Sequence, residues 1–345
     1  MLYSIQFDIK LTDRHTTGTA QQRSLKMNEK INKIEALKKE KNAVIMAHYY
    51  VADEIQQLAD YVGDSYYLSE TATKVTADTI VLCGVSFMGE SAKILNPEKR
   101  VLLPDMTADC PMAHMADADK IQAIRQKYDD VAVVCYVNST AELKACSDVC
   151  VTSSNALKIV SSLPNRNIYF IPDTNLAHFI AEQLPEKDFI FNDGFCHVHH
   201  NVTKEEVSAL KKRYPAAIVM AHPESRPEVL ALADYVGSTS GIINHAAKSG
   251  SSQFIVLTEA GVLYELRKNN PDKEFFTTEP QMCIRDSISG ASYRTGRVLF
   301  SMTQSGLTLQ NRDIFSAMPS SIGSSDLITI ISGDMPIVLN SFTEC

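Results

Sequence analysis

Short β-branched-rich runs alternate with helix-like stretches along this chain, and the alternation itself recurs. Three apolar runs each end on a polar residue: NAVIMAH at His48, VAVVCYVN at Asn138 and AAIVMAH at His222. Uninterrupted apolar runs of this length predict strands buried on both faces, as in a parallel sheet. A helix-like stretch follows each, then a second short strand built around an aspartate, in LADYVGDS, CSDVCVTS and LADYVGST. Asp60, Asp148 and Asp234 lie 88 and then 86 residues apart, and five residues beyond each stands a hydroxyl, Ser65, Ser153 or Thr239.

The second half of each unit repeats as well. DTIVLCG, NIYFIPD and QFIVLTE predict third strands, each leading into a helix that closes at NPEKR, LPEKD or NPDKE; proline is a common stop after a helix. A last strand follows (VLLPD, FIFND, EFFTT), and each unit closes on a cysteine: Cys110, Cys196 and Cys283, spaced 86 and 87 residues apart. The pattern predicts an α/β protein of three pseudo-symmetric three-layer αβα domains with parallel sheets. The expected boundaries are an extension over 1–26, repeats over 27–115, 116–200 and 201–283, and an atypical segment over 284–345.

Parallel α/β sheets bind ligands at the carboxyl ends of their strands, which is where His48, Asn138 and His222 fall. Ser65, Ser153 and Thr239 stand where a strand hands over to a helix. There a hydroxyl is expected to cap the helix and to share its N-terminal field with a bound phosphate or carboxylate. One cysteine per repeat brought to a central axis gives three thiolates and no fourth. A structural zinc site takes four ligands; three thiolates suit a 4Fe–4S cluster with one iron open to substrate. Such an iron acts as a Lewis acid and favours dehydration chemistry. Cys83 and Cys135 fall in strand-like runs and are expected in the core, Cys146 and Cys150 read as structural, and Cys345 has no partner at the repeat period.

Composition narrows the class. The chain has 345 residues, 45% hydrophobic and 21% charged, which suits a soluble globular protein of two or three domains. A formal net charge of -8 argues against nucleic-acid and anionic-membrane partners. No apolar run approaches the roughly 18 residues of a membrane span. The first 26 residues are too charged for a signal peptide. A cytoplasmic location is the expectation, and in that reducing compartment the cysteines are free for metal or catalysis.

The motifs AHYY, GDS, CPMA, YVNST, TSSNA, HPE and VGST, in this order and spacing, resemble the quinolinate synthase family from about Met27 to Glu279. The resemblance implies three αβα domains in a triangle around a 4Fe–4S cluster. It implies condensation of iminoaspartate with dihydroxyacetone phosphate, with loss of phosphate and two waters, in de novo NAD synthesis. It further implies Cys110 and Cys196 as cluster ligands, with Cys283 third at the repeat spacing. His48, Ser65, Tyr136, Asn138, Ser153, His222, Glu224 and Thr239 would contact substrate. Tyr50 and Tyr136 would steer intermediates, Glu224 would be the general base, and His222 a hydrogen-bond donor. A transient contact with L-aspartate oxidase is the implied partnership.

Two departures from the family pattern stand out. The usual CPVH after the second ligand reads CHVH, Cys196 to His199, which adds an imidazole at His197 beside the cluster. After MCIRDS, Met282 to Ser287, the chain is Ser-rich and lacks lysine to Cys345. That segment is read as foreign, spliced at or near Met282. Three other readings compete: a three-cysteine reductase of isoprenoid synthesis, a non-catalytic sugar-phosphate or iron sensor, and an inactive chimera of a real enzyme. HPE, YVNST and VGST speak against the first, and turnover would exclude the second.

Overall fold

The computed structural model describes residues 3–4 and 20–278; Cys283 and the segment read as foreign lie outside the described residues. Strands β1 (Tyr3–Ser4), β2 (Ala43–His48), β3 (Tyr61–Gly63), β4 (Thr79–Cys83) and β5 (Arg100–Leu103) form a sheet in the order β1-β5-β4-β2-β3. A second sheet holds β6 (Val131–Tyr136), β7 (Val149–Val151), β8 (Asn167–Ile171) and β9 (Asp188–Phe191) in the order β7-β6-β8-β9. The third holds β10 (Ile218–Ala221), β11 (Tyr235–Val236), β12 (Gln253–Leu257) and β13 (Glu274–Phe276) in the order β11-β10-β12-β13. All pairings are parallel. Helical crossovers join the strands, as parallel pairing demands, so the α/β class with three parallel αβα layers holds. The chain forms two compact units. Among the described residues, one runs through Gly63 and over Tyr67–Asp109 and carries the first sheet; the other comprises Asp64–Tyr66 and residues 110–278, with the remaining two sheets.

In every sheet the first strand of the repeat lies between the second and third. Connections therefore leave it in opposite directions, and a crevice opens at the carboxyl ends of the first and third strands. The repeated aspartates explain how such short second strands keep register. Asp60, Asp148 and Asp234 accept the backbone N–H of Ile45, Val133 and Val219 at 2.8, 2.7 and 2.8 Å. The amide of each aspartate donates back to the carbonyl of the same residue, at 2.9, 3.0 and 2.8 Å. The side chain thus continues the ladder one residue before the strand begins.

The lysine in NPEKR, LPEKD and NPDKE has an equally regular task. Lys99 donates to the carbonyls of Ala72 and Val75, Lys187 to those of Leu163 and Asn165, and Lys273 to those of Ala246 and Ser249. These carbonyls lie at or just beyond the ends of helices Ser65–Lys74, Ala156–Ser162 and Thr239–Lys248. Each ammonium satisfies orphan acceptors and complements the negative end of the helix dipole.

The cores follow the apolar pattern. Val133, Cys135, Cys150, Tyr169 and Ile171 cluster in the second sheet's domain, and Val219, Ala221, Ile255 and Leu257 in the third's. Each large side chain removed from water contributes about 1.5–3 kcal/mol. Cys135 lies directly opposite Cys150 across β6 and β7, and both are core residues. Burial pushes the Cys83 thiol up to about 12, which leaves it an inert packing group. Among the described residues no helix is long and apolar enough to cross a membrane.

Candidate active site

In the first unit His48 closes β2, and its Nδ1 accepts the Tyr50 amide at 3.2 Å while the two rings meet edge-on with centroids 4.4 Å apart. The third repeat does the same: His222, just past β10, accepts the Glu224 amide at Nδ1, at 3.4 Å. Tyr50 and Glu224 therefore occupy equivalent places, two residues beyond a strand-end histidine. A ring whose Nδ1 accepts an amide, when neutral, carries its proton on Nε2 and offers it outward as a donor.

The second unit brings the ends of its two sheets together. Glu224 is buried, and its two oxygens face different donors. Oε1 accepts the Tyr136 hydroxyl at 2.6 Å, and Oε2 lies 2.9 Å from Nδ1 of His199. His222 Nε2 lies 3.3 Å from Ser153 Oγ, joining the third repeat to the second. The His199 ring stacks on His222, with centroids 4.5 Å apart and planes inclined at 22°. Its Nδ1 also lies 3.2 Å from Cys196 Sγ, and its Nε2 2.8 Å from Thr258 Oγ1.

Cys110 precedes the 3₁₀ turn Pro111–His114, and Cys196 precedes the helix His197–His200. Both thiols are buried, and neither is part of a disulfide. Burial raises the Cys196 thiol far above its usual range, and the nearby Glu224 and Cys110 charges add to the rise. Asp173, fully buried, accepts the Cys196 amide at 2.9 Å on one oxygen and caps helix Thr174–Ala181 through the Leu176 amide at 2.6 Å on the other. Burial raises its carboxyl too, reinforced by Glu224 and opposed by these amides. Gly194 permits the close approach of this loop, since a Cβ there would stand 2.5 Å from the Pro172 carbonyl. Burial pushes the Glu224 carboxyl up, but the His222 and His199 charges and the two hydrogen bonds outweigh it, leaving it well below the usual range.

Ligand atoms of Cys196, His199 and Glu224 lie within 4.8 Å of one another, a spacing that can hold a metal ion. The donor chemistry fits a thiolate-held group: Cys110 and Cys196 are both buried, and an imidazole nitrogen faces the Cys196 sulfur.

Of the residues expected from sequence, Tyr136, Ser153, His222 and Glu224 form one bonded group. Asn138 is half-buried two residues past β6. Ser65 begins helix Ser65–Lys74, next to Asp64, which accepts the Ser240 hydroxyl at 2.5 Å. The expectation that the repeated hydroxyls cap their helices is corrected in two repeats. Ser238 caps helix Thr239–Lys248 by accepting the Gly241 amide at 3.2 Å, because Ser238 is extended and Thr239 already lies in the helix. Ser153 precedes Asn155, the N-cap of helix Ala156–Ser162, and faces His222 instead.

His199, Thr258 and Asp173 were missed. Their signal was the topology: β8 and β12 are the third strands that border each crevice, Asp173 stands one proline beyond NIYFI, and Thr258 follows directly on QFIVL.

A family model described as quinolinate synthetase A protein matches residues 32–293, a span that includes Cys283. The quinolinate synthase of Fusobacterium nucleatum is 54% identical over 252 residues, covering 73% of this chain and 84% of that protein. That of Clostridioides difficile is 55% identical over 243 residues, 70% and 80% of the two chains. For that of Thermodesulfovibrio yellowstonii the identity is 49% over 256 residues, 74% and 84% of the two. With a match of this extent over the residues that build the site, the chain belongs to the quinolinate synthase family.

Proposed function

We propose that the group around Glu224 is the site at which this chain performs its family's reaction, joining iminoaspartate to dihydroxyacetone phosphate with loss of phosphate and two waters to give quinolinate. The observation that carries this reading is Glu224, buried between the Tyr136 hydroxyl and the His199 ring beside the Cys196 thiol. Cys110 and Cys196, with Cys283, are the residues that would hold a 4Fe–4S cluster. When bound, that cluster supplies a Lewis-acidic iron for a substrate carboxylate or hydroxyl.

The rest is the work of side chains. Glu224 takes the proton lost when the triose enolises, passes it to a departing hydroxyl that leaves as water, and is then free to act again at ring closure. Tyr136, 2.6 Å away, stabilises the carboxylate by donating its hydroxyl to it. His222 and His48 present Nε2–H to carboxylate or carbonyl oxygens, their Nδ1 atoms being engaged by the Glu224 and Tyr50 amides. Ser65, Ser153, Asn138 and Thr239 bind the carboxylates and the phosphate. Tyr50, held edge-on by His48, orients the condensing intermediate. The imine hydrolyses in water, so L-aspartate oxidase in the same cytoplasm is the source assigned here.

The test is anaerobic reconstitution with iron and sulfide, followed by assay with dihydroxyacetone phosphate and iminoaspartate generated from oxaloacetate and ammonia. Quinolinate should form, and Glu224→Gln should keep fold and metal content while losing about 100- to 10,000-fold in turnover. Stoichiometric zinc without iron or sulfide would overturn the cluster assignment. Near-normal turnover by the variant would move the base elsewhere.

A further inference from the structure

Cys135 and Cys150 make a buried pair that the reaction does not use. They are register partners on the adjacent strands β6 and β7, and both side chains enter the same core cluster of the second sheet's domain. Neighbouring strands lie about 4.7–4.9 Å apart, inside the window of roughly 4.4–6.8 Å that the Cα atoms of a disulfide occupy. The surroundings are unlike those of an inert core cysteine. Ser139, Lys144 and Ser147, on the segment that joins the two strands, are all buried. Burial pushes the Cys135 thiol up, but the Cys150 thiol, the Ser139 hydroxyl, the Lys144 ammonium and the Ser147 hydroxyl outweigh it and bring it down to about 7. Cys83, where burial acts alone, is pushed up to about 12. Cys150 is held well above the usual range, first by its bond to Cys135 and then by burial. One member is therefore the thiolate and the other keeps its proton, the asymmetry of an attacking and a resolving cysteine.

We propose that Cys135 and Cys150 are a peroxide-reactive pair that closes into a cross-strand disulfide between β6 and β7. The Cys135 thiolate attacks one peroxide oxygen; the O–O bond breaks, hydroxide leaves, and a sulfenic acid remains on Cys135. The Cys150 sulfur then attacks that sulfur, the S–O bond breaks, and the hydroxyl departs as water with the Cys150 proton. Two thiols are oxidised, and the peroxide is reduced to two waters once the hydroxide regains the Cys135 proton. Access comes from β7, a three-residue strand at one edge of its sheet among the described residues. Short edge segments open locally at little cost, and a peroxide is small enough to enter. Closing the bond draws the sulfurs from ordinary contact, about 4 Å, to about 2.05 Å. It also removes the bond that the Cys135 thiol donates to the Tyr136 carbonyl at 3.4 Å. Tyr136 is the next residue, and Ser153, two residues beyond β7, faces His222. Oxidation therefore shifts two substrate-facing side chains, a consequence that rests on the site proposed above.

The full chain, kept reduced through purification, is treated with hydrogen peroxide, blocked with an alkylating agent and digested with trypsin. Lys144 stands between the two cysteines, so the bridge joins fragments 128–144 and 145–158. That linked species should form in the wild type and in Cys146→Ala, vanish in Cys135→Ala and Cys150→Ala, and separate under dithiothreitol. Fragment-ion sequencing of the wild-type species distinguishes Cys150 from Cys146 even where a variant fails to fold. Both thiols still open to alkylation after peroxide would overturn the proposal, and so would a bond at Cys146 or a sulfinic acid on Cys135. Calorimetry reads the consequence at the site. Peroxide should weaken quinolinate binding about 10- to 100-fold in the wild type, reversibly, and leave Cys150→Ala unchanged. A formed bridge with unaltered affinity would overturn the coupling. Reduced wild type that binds no quinolinate would count against the site assignment instead, with the bridge still decided by the fragments.

Discussion

Replacing Asp234 with alanine removes one hydrogen bond whose worth can be set from its surroundings. The carboxylate accepts the Val219 amide at 2.8 Å, and Val219 is fully buried in the middle of its sheet. An orphaned buried N–H costs about 1–3 kcal/mol. Asp234 itself is exposed, so water can enter the vacated place and hold the cost to about 1–2 kcal/mol. For a body of this size that lowers Tm by about 2–8 °C. Asp234 is the copy to test because Asp60 and Asp148 also take charges, from Lys38 at 2.7 Å and Arg125 at 3.0 Å. Asp234→Asn keeps a carbonyl oxygen in position and should lose less than half as much. Circular-dichroism melts of the cluster-free protein give the comparison. No change in the alanine variant, or an asparagine variant equally damaged, would refute the view that the carboxylate serves as a missing strand residue.

Two further expectations use the ends of helix Thr239–Lys248. Ser238→Ala should cost about 1 kcal/mol of stability, as loss of an N-cap does, with substrate KM little moved, whereas Thr239→Ala should raise KM with little change in Tm; the reverse pattern would restore Thr239 as the cap. Lys273→Met, which keeps the aliphatic stem, removes donors to the Ala246 and Ser249 carbonyls and should lower Tm by a few degrees, more at low salt than at high, the part that salt screens being the dipole interaction; an unaltered melt would mean that water satisfies those carbonyls equally well.

Much of the fold was legible because fully apolar strands recur with fixed punctuation. Asp60, Asp148 and Asp234, and the lysines at 99, 187 and 273, were visible as repeated letters. Their bonds were not, since each reaches backbone 15 to 27 residues away. At the site, HPE and YVNST led to His222, Glu224 and Tyr136. His199 escaped notice because it sits on a four-residue helix that gives no periodic signal, and its meaning comes from Glu224 and Thr258, 25 and 59 residues further on. Placing ligand contacts only at the end of the first strand of each repeat hid Asp173 and Thr258, which lie across the crevice just past the third. The cap assignment slipped because adjacent serine and threonine at 238 and 239 have equal capping chemistry, and only backbone dihedrals separate them.

The aspartate that completes each ladder has a consequence for how such a protein can be altered. It fastens the strand pair near its rear, so the residues at the front contribute little to alignment and are free to differ among copies. Asn138 stands where the other copies have His48 and His222, and Tyr50 and Glu224 are unlike occupants of like sockets. A repeated unit of this kind can carry different front residues in each copy without altering the strand pairing behind them. Exchanging the front residues of one copy while leaving Asp60, Asp148 and Asp234 untouched is accordingly the direct route to a new substrate preference on the same three sheets.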